Sequence, residues 1–194
     1  MTKKIGVLGG TFDPIHFGHI NLAKIAFDEL QLDKVIIVPA NYPWLKKPSK
    51  LTQTKHRIRM IRIFVESSPW LELSKIDIFR GGKTYTKDTL EELKITLGQK
   101  AKLFLILGSD SINELSKWRE YKKIFDLSQI VVGERPKFEI NRNNHKNIVV
   151  LDFKMLNISS SLIRKNIRKG LSTKGLIPSK IRRYIDKHRL YIED

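Results

Sequence analysis

A stretch near the start of the chain, GGTFDPIHFGH at residues 9–19, combines residue types that bind phosphate. His16 and His19 lie three residues apart, so at the start of a helix they can face one side and reach one ligand. Each imidazole can donate a hydrogen bond to a phosphate oxygen, and a protonated imidazole is the stronger donor. The spacing therefore predicts that both rings bind the phosphates of one ligand.

The glycines of the same stretch favour close approach of an anion to the backbone. Gly9 and Gly10 carry no side chain, so backbone N–H groups can reach an anion, and Gly18 gives the same freedom at the helix start. The helix N-terminus adds unpaired N–H donors and a partial positive charge. We therefore expect the backbone N–H groups of this turn to bind a phosphate.

Two other interpretations of this stretch stay open. A glycine turn between a strand and a helix is common in packed proteins, and it needs no ligand. Two histidines at this spacing also suit a metal, with Asp13 or a distant residue as the third ligand. The stretch matches neither the dinucleotide fingerprint G-x-G-x-x-G nor a P-loop, because the required glycines and G-K-S/T are absent.

A second stretch, ISSSLIR at residues 158–164, also contains residue types that suit phosphate binding. We call it and the stretch at residues 9–19 the two phosphate-type stretches. Ser159, Ser160 and Ser161 can cap a helix and offer hydroxyl donors to phosphate. Arg164 carries a fixed charge on a planar fork that suits phosphate. Serines at a helix start are by themselves ordinary caps, so this stretch gains meaning only beside the first one.

The elements that must position these residues alternate between strands and helices. The order strand, helix, strand within the first forty residues predicts a βαβ unit with a right-handed crossover. The further alternation predicts an α/β fold, a doubly wound parallel sheet in three layers with helices on both faces. Apolar runs predict strands at KKIGVLGG, KVIIVPA, LELSKIDIF, AKLFLILG, QIVVGERP and NIVVLDF. Periodic patterns predict helices at HINLAKIAFDEL, KHRIRMIRIFVES, KDTLEELKITLG, SINELSKWREYKKIFDL, ISSSLIRKNIRKG and PSKIRRYIDKHRL.

Length and composition favour one globular domain. The 194 residues, 41% of them hydrophobic, can bury a full core, and no linker or repeat divides them. We therefore expect a single domain over residues 1–194, with a C-terminal helical part at about 158–194. The absence of cysteine excludes disulfides and thiolate metal sites. We expect a cytoplasmic protein without a signal peptide or membrane segment.

The chain is strongly basic, with a net charge of +17 from 37 Lys and Arg against 20 Asp and Glu. Such a surface can bind nucleic acid, can attract small polyphosphates, or can simply reflect a Lys-rich composition. The charges are spread along the chain rather than gathered in a tail. Charge alone therefore leaves these three interpretations open.

The two phosphate-type stretches resemble the signatures of the H-x-G-H nucleotidyltransferase superfamily. The stretch at 9–19 contains His16-Phe17-Gly18-His19, and ISSSLIR resembles the late signature I-S-S-T-x-I-R, with Ser161 in place of Thr. Members transfer a nucleotidyl group from a nucleoside triphosphate to a phosphate. The resemblance implies a Rossmann-like nucleotidyltransferase fold.

Further stretches resemble the nicotinate-nucleotide adenylyltransferase family. They are TYTKDTLEEL at 84–93, GSDSINELSKWREYKKI at 108–124, and the pair VPANYPWLKKP and HRIRM. The chain departs from the family in two loops. Leu45 stands where the family's P-P-H-K loop has histidine, and Arg135 lies in GERPK rather than in R-P-G.

The resemblance implies a site and a reaction. It implies adenylyl transfer from ATP to nicotinate mononucleotide in NAD biosynthesis, with Mg²⁺ carried by the ATP and no metal held by the protein alone. His16, His19 and Arg164 are expected to be catalytic. ATP is expected to bind Gly9, Gly10, Thr11, Phe12, Lys46, Gly108, Asp110, Ser159 and Ser160, and nicotinate mononucleotide to bind Tyr85, Thr86, Trp118 and Arg135.

Two of these residues have ordinary structural alternatives. Trp118 can stack on a pyridine ring, but its helical spacing from Leu115 and Tyr121 also fits a core position. Asp110 can hold a ribose hydroxyl of ATP or cap a helix, and it can do both.

Two rival functions also remain. One is another H-x-G-H enzyme, pantetheine-phosphate adenylyltransferase, and the other is a basic nucleic-acid-binding module. We expect ATP and nicotinate mononucleotide as partners, rather than nucleic acid or a membrane, and the sequence leaves the oligomeric state open.

Overall fold

The computed structural model describes residues 2–44, 51–134, 148–154 and 156–192. Its strands are β1 (Lys4–Gly10), β2 (Lys34–Pro39), β3 (Tyr42–Pro43), β4 (Leu71–Leu73), β5 (Lys83–Thr84), β6 (Lys102–Gly108), β7 (Gln129–Glu134) and β8 (Ile148–Lys154). Its helices are α1 (Phe17–Glu29), α2 (Thr54–Val65), α3 (Ile76–Arg80), α4 (Thr86–Leu97), α5 (Ser109–Ile112), α6 (Tyr121–Leu127), α7 (Ser160–Arg168) and α8 (Ser179–Lys187). None of the helices in these ranges is long and apolar enough to cross a membrane.

The main sheet has six parallel strands in the order β4-β2-β1-β6-β7-β8. The chain runs from β1 outward to β4, then returns and runs from β6 outward to β8. The direction of winding therefore reverses between β1 and β6, which are neighbours. In such sheets ligands bind beyond the carboxyl ends of the strands at this reversal.

Side chains alternate between the two faces of the sheet, and each face is buried. In β2, Val35 and Ile37 belong to one apolar cluster, while Ile36 and Val38 belong to the other. The first cluster includes residues of α1, α2, α7 and α8, and the second includes residues of α4, α5 and α6. Burial on both faces explains the continuous apolar runs of the strands. The expected three-layer, doubly wound α/β fold is confirmed.

Two predicted elements differ from the structure. LELSKIDIF forms the short strand β4 and then helix α3, because the Ser74 hydroxyl accepts the N–H of Ile76 and turns the chain. SINELSKWREYKKIFDL is not one helix: α5, a 3-10 turn at Leu115–Lys117 and α6 are separate. The break lies before α6, where Glu120 has a φ of 51°.

Candidate active site

A cavity of about 270 Å³ opens at the reversal point of the sheet. Gly9 and Gly10 at the end of β1 and Gly108 at the end of β6 form part of its wall. Thr86 at the start of α4 and Trp118 lie in the same wall. The fold thus brings residues expected to bind ATP and residues expected to bind the acceptor around one space.

The two histidines form a stacked pair at the start of α1. Their ring centroids are 3.6 Å apart and their planes differ by 22°. The backbone N–H of His19 donates to Nδ1 of His16 at 3.4 Å, and the N–H of His16 donates to Nδ1 of His19 at 3.3 Å. Because each Nδ1 accepts, a neutral ring carries its proton on Nε2. On His19, which faces the cavity, the Nε2–H is then a donor that can bond a phosphate oxygen.

The two rings differ in their access to the cavity. His19 is half-buried and lines the cavity, whereas His16 is 1% exposed and lies behind it as the N-cap residue of α1. The structure therefore favours direct ligand contact for His19. His16 fixes the orientation of the His19 ring by stacking and by the reciprocal hydrogen bonds.

The three glycines Gly9, Gly10 and Gly18 lack a side chain for different physical reasons. A Cβ at Gly18 would lie 3.0 Å from Nδ1 of His16, so this glycine makes room for the buried ring. A Cβ at Gly10 would lie 3.2 Å from the ring of Phe12, which is itself 1% exposed. A Cβ at Gly9 would meet no protein atom within 4 Å, so Gly9 leaves backbone open to the cavity. Of these three glycines, only Gly9 has no packing neighbour that explains its missing side chain, so it fits the close approach of an anion to the backbone.

A fully buried arginine holds the turn that precedes the histidines. The guanidinium of Arg57 donates to the carbonyl oxygens of Thr11 at 2.9 Å and Ala40 at 2.8 Å. Burial lowers the pKa of Arg57, while the neighbouring Asp13 carboxylate acts in the opposite direction. The sequence HRIRM contains this arginine, but its role as a strut under the turn required the tertiary structure.

The other side of the turn is held by a residue from the end of the chain. The hydroxyl of Tyr191 donates to Oδ1 of Asp13 at 2.6 Å, and the N–H of Thr52 donates to Oδ2 at 3.2 Å. Burial raises the pKa of Tyr191 above its usual range, and the charge of Asp13 adds to the effect. Sequence patterns gave no signal for Tyr191.

The late serine-rich stretch meets this turn, although about 150 residues separate them. Ser160 Oγ donates to the carbonyl oxygen of Pro14 at 2.9 Å, and Arg164 donates to that of Asp13 at 2.8 Å. Ser159 caps α7 by accepting the N–H of Leu162 at 3.1 Å. These contacts bring the two phosphate-type stretches together.

Asp110 follows β6 and lies in the cavity wall, half-buried, beside Gly108. Gly108 is the N-cap position of α5, so Asp110 lies in the first turn rather than at the cap. The alternative of a capping aspartate is therefore wrong for this position, and the alternative of a ligand contact stays a prediction.

The side of the cavity near Trp118 and Thr86, which we call the acceptor side because the sequence predicts that nicotinate mononucleotide binds there, is aromatic. Trp118 is half-buried, packs on the second apolar cluster and lines the cavity, so both of its proposed roles fit the structure. Tyr85 precedes α4, and the guanidinium of Arg119 lies 4.7 Å from its ring centroid. The ring of Trp44 lies 5.6 Å from that of Tyr85. Thr86 begins α4, whose first N–H groups can donate hydrogen bonds to an anion.

A small parallel sheet closes this side, and the sequence had not predicted it. Strands β3 and β5 pair, and the N–H of Asn41 donates to Oγ1 of Thr84 at 2.9 Å. The loop after β2 is thus joined to the segment that leads into α4. Three residues of the sequence analysis lie outside the described residues. They are Leu45, which departs from the family's loop, and Lys46 and Arg135, which are predicted to bind substrate.

Carboxylates outnumber bases in the described part of the cavity wall. Asp77, Asp110 and Glu114 line it, with His19 as the one basic group. The part of the chain described contains no group of three or more His, Cys, Asp or Glu placed to hold a metal ion. Among the described residues, the wall therefore offers an anionic ligand no Lys or Arg side chain.

Fold and site together define a nucleotide-binding α/β domain of the nucleotidyltransferase class. The family model described as cytidylyltransferase-like matches residues 7–166. A protein of Plasmodium falciparum, nicotinic acid mononucleotide adenylyltransferase complexed with NaAD, superposes with a TM-score of 0.80 at 26% identity over 97% of both chains. A second structure of that protein, complexed with APC, has the same TM-score at 24% identity and shows the common fold.

Sequence relatives narrow the class. Probable nicotinate-nucleotide adenylyltransferases from Thermoanaerobacter sp. (strain X514) and Clavibacter michiganensis subsp. michiganensis are 37% and 38% identical to this chain. The matches cover 98% and 97% of this chain and 95% and 94% of the relatives. The chain belongs to the nicotinate-nucleotide adenylyltransferase family.

Proposed function

We propose that the protein transfers the adenylyl group of ATP to nicotinate mononucleotide and releases pyrophosphate. The observation that carries this proposal is the junction of the turn before α1 with the start of α7, beside a cavity whose other side is aromatic. The first part suits a triphosphate, and the second suits a flat pyridine ring. The names and bound ligands of the relatives agree with this pair of substrates.

The ATP side is built for the triphosphate. We assign His19 to the phosphates, with His16 beneath it, and the N–H groups of Thr11 and Phe12 to the transferred phosphate. Gly9 leaves the backbone accessible there. Lys46, Ser159, Ser160 and Arg164 are assigned to the triphosphate and the departing pyrophosphate, and Gly10, Gly108 and Asp110 to the rest of the nucleotide.

The acceptor side is built for a ring with a carboxylate. Trp118 offers a stacking surface, because it lines the cavity with its body packed on the core. The backbone N–H groups around Tyr85 and Thr86 lie at the N-terminus of α4, where partial positive charge favours a carboxylate over an amide. We also assign Arg135 to this substrate.

The reaction needs alignment and charge stabilisation rather than a general base. The second phosphate pKa of a monoester is about 6, so the acceptor is already ionised at neutral pH. Its oxygen attacks the α-phosphorus of ATP, the bond from that phosphorus to the bridging oxygen breaks, and pyrophosphate leaves. The Nε2–H of His19 and the guanidinium of Arg164 stabilise the negative charge that gathers on the phosphates.

Mg²⁺ is proposed to enter with ATP. This ion usually binds substrate phosphates together with one or two carboxylates, and it neutralises their charge. The carboxylates in the described part of the wall, Asp77, Asp110 and Glu114, fit a substrate that arrives with its own cation. We further propose that residues 1–194 act as one domain, because Ile163 and Ile181 of the last two helices share a core with β1.

The test is pyrophosphate release from ATP and Mg²⁺ with three acceptors in turn. We expect rapid release with nicotinate mononucleotide and slower release with nicotinamide mononucleotide. Phosphopantetheine should give none. Turnover of phosphopantetheine would favour the pantetheine-phosphate enzyme instead. Salt-sensitive retention of nucleic acid with no acceptor turned over would favour the nucleic-acid-binding module.

A further inference from the structure

A buried carboxylate stands on the acceptor side of the cavity, and nothing in the proposed reaction uses it. Asp77 of α3 is 2% exposed and lines the cavity together with Thr84, Thr86 and Trp118. An ionised carboxylate in that position repels the carboxylate of nicotinate. Its charge therefore has to be neutralised for the proposed acceptor to bind.

Arg80 provides the neutralising charge from the same helix. Its guanidinium donates to Oδ1 of Asp77 at 2.6 Å and to Oε1 of Glu92 at 2.8 Å. The hydroxyl of Thr89 also donates to Oδ1 of Asp77, at 2.6 Å. Within the described residues, both side-chain hydrogen bonds to Asp77 thus fall on one oxygen. Oδ2 receives no hydrogen bond from a described side chain.

Thr89 connects this pair to the acceptor site. It lies in the wall of the cavity, one turn after Thr86 in α4. Its Oγ1 also lies 3.2 Å from the carbonyl oxygen of Tyr85. The pair therefore sits against the first turn of α4, whose N–H groups we assign to the acceptor carboxylate.

We propose that Asp77 and Arg80 determine whether the pocket accepts a carboxylate or an amide on the acceptor ring. With Arg80 in place, the pair is neutral, and the N-terminus of α4 selects the carboxylate. Without the arginine charge, Asp77 repels a carboxylate, and its Oδ2, to which no described side chain donates, can accept an N–H of an amide. This inference rests on the proposed function, because it concerns the acceptor of that reaction.

The charges predict opposite effects for two substitutions in one network. Asp77→Asn removes the negative charge at nearly constant shape, so the preference for nicotinate over nicotinamide mononucleotide should rise. Arg80→Gln removes the positive charge, so the same preference should fall. A unit charge at the edge of a partly solvated pocket changes binding by about tenfold, and we expect at least threefold in each direction. A purely structural role would weaken both acceptors in both variants.

The experiment measures kcat/KM for both mononucleotides, with saturating ATP and Mg²⁺, in the wild type and the variants. Arg80→Lys keeps the charge and should keep most of the preference. If Arg80→Gln does not fold, Arg80→Met replaces it, because that variant also removes the charge. Glu92→Gln removes a carboxylate from the same arginine on the outer side, and it should change the preference less than twofold. Thr89→Val breaks a hydrogen bond without a charge change, so it should slow both acceptors by similar factors.

Failure of the inference differs from failure of the proposed function. If the wild type uses neither mononucleotide, the proposed function is wrong, and the inference falls with it. If the wild type is active but Asp77→Asn and Arg80→Gln shift the preference in the same direction, or not at all, only the inference is overturned. Opposite shifts, with Arg80→Lys close to the wild type, support it.

Discussion

The hydrogen bond from Tyr191 to Asp13 gives a stability prediction that can be worked through in detail. Tyr191→Phe removes one hydroxyl and leaves Oδ1 of Asp13 without the donor that lies 2.6 Å away. Hydrogen bonds to charged groups contribute about 1.5–3 kcal/mol. We therefore expect the free energy of unfolding at pH 7 to fall by about 2 kcal/mol, measured by urea titration.

The stability difference between the wild type and Tyr191→Phe should depend on pH, and the raised pKa of Tyr191 gives the direction of that dependence. Folding raises the pKa of Tyr191 above its unfolded value of about 10, so the contribution of the hydroxyl is complete below pH 10. Above pH 10 the unfolded tyrosine loses its proton first, and the wild type loses about 1.4 kcal/mol per pH unit relative to the Phe variant. The difference of about 2 kcal/mol at pH 7 should therefore vanish near pH 11.5.

A matched substitution controls for the loss of any tyrosine hydroxyl. Tyr184 bonds Nδ1 of His56 at 2.8 Å on the outer face of α2 and α8, away from Asp13. Tyr184→Phe should cost less than Tyr191→Phe at pH 7. Equal stability of the wild type and Tyr191→Phe at pH 7 would refute the reasoning, as would a difference that stays constant through pH 11.5.

Three further substitutions test the turn and its supports. His19→Ala should lower kcat by about 100-fold with the fold intact, because it removes a donor to the reacting phosphates, and near-normal turnover would contradict that role. Gly18→Ala places a Cβ 3.0 Å from Nδ1 of His16 and should lower kcat by tenfold or more. Gly9→Ala places a Cβ that meets no protein atom within 4 Å, so it should raise the KM for ATP at unchanged stability. The reverse pattern would show that the two glycines have been misassigned. Arg57→Met leaves the buried carbonyl oxygens of Thr11 and Ala40 without their donor, at about 1–3 kcal/mol each, so urea unfolding should show a loss of about 3–5 kcal/mol, and a loss below 1 kcal/mol would rule out the strut.

The sheet could be predicted from the sequence because its strands are buried on both faces. AKLFLILG and KVIIVPA contain continuous apolar runs, and such runs need helices above and below them. The helix at 86–97 was also clear, because Gly98 ends it with a φ of 90°. The region 109–127 was predicted wrongly as one helix, because its apolar spacing continues up to Tyr121 although the backbone breaks at Glu120.

The residues expected to bind phosphate could be picked out from the sequence more easily than the residues that support them. The motif at 9–19 is compact in the sequence, so its residue types could be interpreted together. Arg57 and Tyr191 act through contacts that span 46 and 178 residues, and no local pattern encodes such contacts. Gly10 also has a structural reason that the sequence did not reveal, because its missing side chain makes room for the ring of Phe12. Asp77 was hidden in a segment that the apolar pattern assigned to a strand.

The most direct test of the central claim is a crystal structure with a nonhydrolysable ATP analogue and Mg²⁺. The account predicts phosphate oxygens within hydrogen-bond distance of Nε2 of His19 and of the backbone N–H of Thr11, with the guanidinium of Arg164 beside the β- and γ-phosphates. An analogue bound elsewhere on the protein, with the cavity at the ends of β1 and β6 unoccupied, would contradict it.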